Sequence, residues 1–98
     1  MRFYFQGESV FIGTGRRAID TAKPSAVFIH GAGMDHTVWL VYERYFAARG
    51  FNALSIDLPA HGRSGGAPLL SIEAMAEWVD CVLQQLNITD AVLIGHSM

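Results

Sequence analysis

Three short apolar runs constrain this chain more than any other feature: Ala26-Val27-Phe28-Ile29, Ala53-Leu54-Ser55-Ile56 and Ala91-Val92-Leu93-Ile94. Each is short and continuous rather than alternating, the pattern of a strand covered on both faces, as in a parallel sheet. Helical segments separate them. After the first run and the loop His30 to His36, Thr37 is placed to cap a helix from about Val38 to Arg49, with Gly50 as its stop. Val38, Tyr42, Tyr45 and Phe46 share one face of it. After the second run, Asp57-Leu58-Pro59 ends the strand and Ala60 to Pro68 reads as a Gly/Ser-rich loop. Ser71 then caps a second helix, with Leu70 and Met75 at the spacing of a hydrophobic staple. Met75, Val79, Val82, Leu83 and Leu86 form its apolar stripe, opposite Glu73, Glu77, Asp80, Gln84 and Asn87. Strands joined by helices predict an α/β architecture with right-handed crossovers.

The N-terminus follows another period. Phe3 and Phe5 alternate with Arg2, Tyr4 and Gln6, which suits a half-buried strand, and Gly7-Glu8 suits a hairpin turn into a second strand at Val10-Phe11-Ile12. Gly13-Thr14-Gly15-Arg16-Arg17-Ala18 fits the dinucleotide-binding pattern G-x-G-x-x-A. Pro24 and the next strand arrive too soon for the helix that pattern requires, so the segment reads as a Gly-rich loop with a solvated arginine pair. The predicted order is strand, strand, strand, helix, strand, helix, strand.

Composition excludes several classes of partner. The formal charge is −2, the seven Lys and Arg are scattered along the sequence, and nothing suggests nucleic-acid binding. No apolar run approaches membrane-spanning length and no signal-peptide core is present, so a soluble, cytoplasmic, reducing setting is the default expectation. The single cysteine, Cys81, has no partner for a disulfide or a metal site, and its place in a helical pattern predicts a small, buried or half-buried residue. No metal or cofactor is expected.

Chemistry enters at the carboxyl ends of the strands. Gly95-His96-Ser97-Met98 matches the first four positions of Gly-x-Ser-x-Gly, in which a strained strand-to-helix turn lifts a serine Oγ above the sheet. His30-Gly31-Ala32-Gly33, with Trp39 further on, and Asp57-Leu58-Pro59-Ala60-His61-Gly62-Arg63-Ser64 follow the two preceding strands. Together these segments resemble the α/β-hydrolase superfamily, in that family's order and over essentially the whole chain. One departure is Ala60, where many relatives carry Gly.

That resemblance implies the N-terminal part of the α/β-hydrolase fold over residues 1–98, mostly parallel with an antiparallel hairpin at the start. Ser97 matches the nucleophile of a serine hydrolase. The backbone N–H of Met98 matches one oxyanion-hole donor; the other comes from Ala32, with Gly33 as the alternative. The implied substrate is a small carboxylic ester, lactone, thioester or related carbonyl compound; relatives with this serine also cleave carbon–carbon bonds or run perhydrolysis. His30 and His61 are expected to be structural, His36 and His96 are poor general bases, and Asp57 follows the wrong strand to be the triad acid. The acid and His are therefore expected beyond residue 98, so the chain alone should be inactive, with its last strand at an open apolar edge. A non-catalytic ligand-binding relative and a gene fragment are the rival readings.

Overall fold

A computed structural model describes residues 1–96. Its elements are β1 (Arg2–Phe5), β2 (Glu8–Gly13), β3 (Ser25–Ile29), a 3₁₀ turn (His36–Trp39), α1 (Leu40–Ala47), β4 (Asn52–Ile56), α2 (Ile72–Gln85) and β5 (Ala91–Gly95). The sheet order is β1-β2-β4-β3-β5. β1 and β2 form the antiparallel hairpin, β2 runs antiparallel to β4, and β3 pairs in parallel with both β4 and β5. This order and these strand directions are what the sequence resemblance implies: a mostly parallel sheet with an antiparallel hairpin at its start.

The lack of alternation in β3 and β4 has a direct cause. Successive side chains point to opposite faces, and here both faces are covered. Val27, Leu54 and Ile56 join Val79, Val82 and Leu83 of α2 in one core. Ala26, Phe28 and Ala53 join Trp39 and Ala47 in the other, beneath α1. The connections explain the sidedness. β3 to β4 steps one way across the sheet, and β4 to β5 steps back past β3. Two crossovers of one hand stepping in opposite directions put their helices on opposite faces.

Several local expectations need correction. The hairpin turns at Gln6-Gly7 rather than Gly7-Glu8, with φ of 52° and 79°, the paired left-handed geometry that matches strand twist. The first helix opens as a 3₁₀ turn capped by Asp35, whose carboxylate accepts from Thr37 N–H. Val38, Tyr42 and Tyr45 are exposed; the inward face is Trp39, Glu43 and Ala47, spaced four residues apart. Burying Glu43 instead of a tyrosine was not legible, because its partner is the backbone N–H of Gly15, 28 positions earlier. Ser71 does cap α2, accepting from Ala74 N–H at 3.0 Å, but Leu70 is 92% exposed and forms no staple. Cys81 is exposed. The Gly13–Ala18 segment makes a turn closed by Arg17 N–H to Thr14 C=O, with no helix after it. Strand β5 is the sheet edge, and Val92 and Leu93 stand 61% and 59% exposed. An apolar groove of about 210 Å³ runs beside it, lined by Ile29, Met75, Val79 and Leu93.

Ala60 adopts φ +64°, where a Cβ is strained and glycine is not. Its N–H still donates to Gly65 C=O, so the fold keeps the turn at the expense of that strain. Replacing Ala60 by Gly should therefore stabilise the chain by about 0.5–1 kcal/mol despite glycine's larger unfolded entropy. Urea unfolding checks this; a destabilised variant would show that the turn is unstrained.

Candidate functional site

The site lies where the loops after β3 and β4 meet. Its anchor is Asp57, which follows β4 and is fully buried. One carboxylate oxygen accepts His36 N–H at 2.6 Å; the other accepts Arg63 N–H at 2.9 Å. The His36 ring donates from Nδ1 to the same carboxylate at 2.9 Å. Gly62 must be glycine: a Cβ there would overlap the Asp57 carboxylate, and its φ is +51°. Ser64 completes the loop, its hydroxyl donating to Asp57 C=O at 2.7 Å and accepting Phe11 N–H at 2.9 Å. The Asp-x-Pro-x-x-Gly-x-Ser segment is thus a folding unit in which acid, glycine and serine each satisfy a buried backbone.

Two imidazoles tie this loop to the one after β3. Fully buried His30 donates from Nδ1 to Gly31 C=O at 2.8 Å and accepts Leu58 N–H on Nε2 at 3.0 Å. His61 donates from Nδ1 to Pro59 C=O at 2.9 Å and accepts Gly33 N–H on Nε2 at 3.1 Å. A carbonyl cannot donate and an amide N–H cannot accept, so both rings are held as neutral Nδ1–H tautomers. The rings lie 5.0 Å apart. Burial, above all, pushes the His30 pKa down, and the neighbouring His61 adds to the effect against opposing contributions from Gly31 C=O and the nearby carboxylates. The expectation that these histidines bond backbone is met.

These bonds settle which amides of the β3 loop are in use. Gly33 N–H is taken by His61, and Met34 N–H donates to Gly31 C=O at 3.1 Å. Ala32 N–H has no hydrogen-bond acceptor among the described residues, and Ala32 is exposed. The parallel ladder continues past β5 through His96 N–H, which donates to Ile29 C=O at 2.9 Å, so the end of β5 lies beside the start of this loop. Trp39 lies 6.3 Å from the His96 ring and 5.2 Å from Phe28, centroid to centroid. Ser97 and Met98 lie outside the described residues.

His36 and Asp57 together look like half of a catalytic triad, a pairing that no sequence spacing announced. Their position argues otherwise. The His36 ring stacks on Phe11 of β2 at 4.8 Å. β4 and β3 separate β2 from β5, roughly 14 Å at ordinary strand spacing. Asp35, His36 and Asp57 also bring potential ligand atoms within 4.8 Å of one another. The Asp57 oxygens already accept two backbone N–H groups and the His36 ring.

Comparison with known proteins agrees with this architecture. Residues 26–98 match the family model described as alpha/beta hydrolase family, and the chain belongs to that family. It is 39% identical over 75 residues to a putative esterase/lipase of Haemophilus influenzae, covering 76% of this chain and 26% of that protein. It is 42% identical over 72 residues to the pimeloyl-[acyl-carrier protein] methyl ester esterase of Klebsiella pneumoniae, covering 74% and 26%. Among solved structures, the thioesterase domain from the curacin biosynthetic pathway superposes with a TM-score of 0.78 at 25% identity, covering 100% of this chain and 35% of that one. The chain thus spans about a quarter of the length of these curated relatives.

Two outcomes test the geometry. Asp57→Asn replaces an acceptor oxygen by an NH₂ facing existing donors, and should cost about 3 kcal/mol or more in urea unfolding. A loss below about 1 kcal/mol would contradict the anchor role. For His30 the folded pKa lies below its ordinary value of 6.5, so the unfolded chain binds the extra proton first. Stability from this group is complete above about 6.5 and declines as the pH falls below it. The slope cannot exceed about 1.4 kcal/mol per pH unit for one proton, and His30→Gln should reduce it.

Proposed function

We propose that this chain carries the nucleophile and the oxyanion-binding side of a serine hydrolase that forms an acyl-enzyme on Ser97. The observation supporting this reading most directly is the amide of Ala32, which has no acceptor among the described residues while its neighbours Gly33 and Met34 are occupied, on a loop whose start lies beside the end of β5. An N–H without an acceptor among the described residues, on a loop tied by His30 and His61, is what a developing oxyanion requires, since it needs little reorganisation when charge appears. It favours Ala32 over Gly33 as the donor, with the N–H of Met98 as the second.

The reaction balances as follows. Ser97 Oγ bonds to the carbonyl carbon of an ester, lactone or thioester, and the C=O electron pair moves to oxygen, where Ala32 and Met98 N–H receive it. Collapse of this adduct breaks the bond to the leaving group, which departs with the proton taken from Ser97. Water then cleaves the acyl-serine by the same path. A base must hold the Ser97 proton between these steps. His30 and His61 have both ring nitrogens committed to backbone, and His36 is committed to Asp57 on the far side of β3 and β4. His96 immediately precedes Ser97 in sequence, a poor position from which to serve as its base. The base and its acid are thus assigned to other residues, in the chain order Ser, acid, His.

The 98-residue chain should therefore hydrolyse a chromogenic acyl ester no faster than its Ser97→Ala variant. Clear turnover abolished by that substitution would contradict the assignment of the base. The coding sequence after codon 98 supplies the complementary test. An in-frame Gly followed by an acid and a His is expected, and in that protein Ser97→Ala should lower kcat by about 10⁴-fold or more. A continuation without acid or His would instead favour a ligand-binding relative.

A further inference from the structure

The loop after β3 is held by groups that can lose their function in a single protonation. His61 reaches Gly33 only because its Nε2 carries a lone pair; its other nitrogen is already spent on Pro59 C=O. A proton on Nε2 would set N–H against N–H, and the bond would break. Gly33 has φ +77°, and no described residue other than its chain neighbours lies within 4 Å of where a Cβ would stand. The other ties among the described residues are the turn bond from Met34 N–H to Gly31 C=O and the bonds at the two ends, at His30 and at His36.

We propose that His61 is a positioning residue: its neutral imidazole captures the Gly33 amide, fixes the loop with the neighbouring Ala32 N–H left without an acceptor among the described residues, and releases the loop on taking up a proton. The part of this inference concerning Ala32 rests on the oxyanion reading above; the lock itself does not. Several charged or titratable groups bear on the ring. His30, at the end of β3, lies 5.0 Å away. Asp35, on the β3 loop, is engaged with Thr37. Asp57 and His36 are engaged with each other, and Arg63, on the β4 loop, stacks its guanidinium over Phe11 at 5.0 Å. His61 is partly exposed whereas His30 is fully buried.

The test follows the backbone amides of the isotope-labelled chain by NMR across a pH titration, in the wild type and two variants. His61→Gln can present an uncharged oxygen to Gly33 at the reach of Nε2, and cannot titrate. His61→Asn can keep a donor near Pro59 C=O but is too short to reach Gly33. In the wild type, the Gly33 and Ala32 amide shifts should follow the same curve as the His61 ring. In His61→Gln that dependence should vanish with the neutral-pH shifts retained. In His61→Asn, Gly33 should show the acid-form shift at every pH and exchange its amide hydrogen at least 10-fold faster. The proposal is overturned if Gly33 ignores the His61 titration, or if its pH dependence survives in His61→Gln and so belongs to His30. If the lock behaves as described while an intact hydrolase carrying this segment tolerates His61→Asn without loss of kcat, the lock stands and the assignment of Ala32 as oxyanion donor falls.

Discussion

A buried carboxylate holds this end of the molecule together. Asp57 emerges from β4 with no exposure to solvent, and two backbone N–H groups and one imidazole N–H converge on it. An ionised carboxylate in such a place is tolerated only because its acceptor sites are filled. Filling them requires the loop after β4 to curl back at Gly62, and the loop after β3 to bring His36 across. The two loops thereby acquire a fixed relation, and the smaller ties through His30 and His61 become possible. Whatever chemistry occurs at the carboxyl ends of these strands takes place on a surface shaped by that one desolvated charge.

The sheet supplies the other half of the arrangement. Because β3 has β4 on one side and β5 on the other, its loop lies between the ends of both neighbours. Ligands of open α/β sheets bind outside the carboxyl ends of the strands, where the connections diverge. The helices are dictated by the same topology: α1 and α2 cover opposite faces because their crossovers step in opposite directions. This leaves β5 at an edge with Val92 and Leu93 exposed, the feature of the chain most prone to unwanted pairing.

Much of this was legible in the residues, and the limits have physical reasons. Continuous apolar runs gave β3 and β4 because burial on both faces removes alternation. The stripe on α2 emerged because Val79, Val82 and Leu83 face a single flat neighbour. The face of α1 was misread because its inward residues include Glu43, whose burial depends on the distant Gly15 amide, while its tyrosines, apolar by type, remain in water. The Asp35 cap was missed because Thr37, also a good cap, stood two residues later. In the site, the three sequence segments and the structural roles of His30 and His61 were readable, whereas the His36–Asp57 pair was not: nothing in a 21-residue separation signals contact. The family resemblance already put Ala32 ahead of Gly33; what it did not show is that His61 accepts the Gly33 amide.

The account stands on neutral imidazoles with one defined tautomer. Long-range ¹H–¹⁵N correlation spectra of the histidine rings at neutral pH read this directly. Both His30 and His61 should show a protonated Nδ1 and a bare Nε2. A proton on Nε2 of either ring, or a mixture of tautomers in fast exchange, would contradict the loop architecture described for this chain.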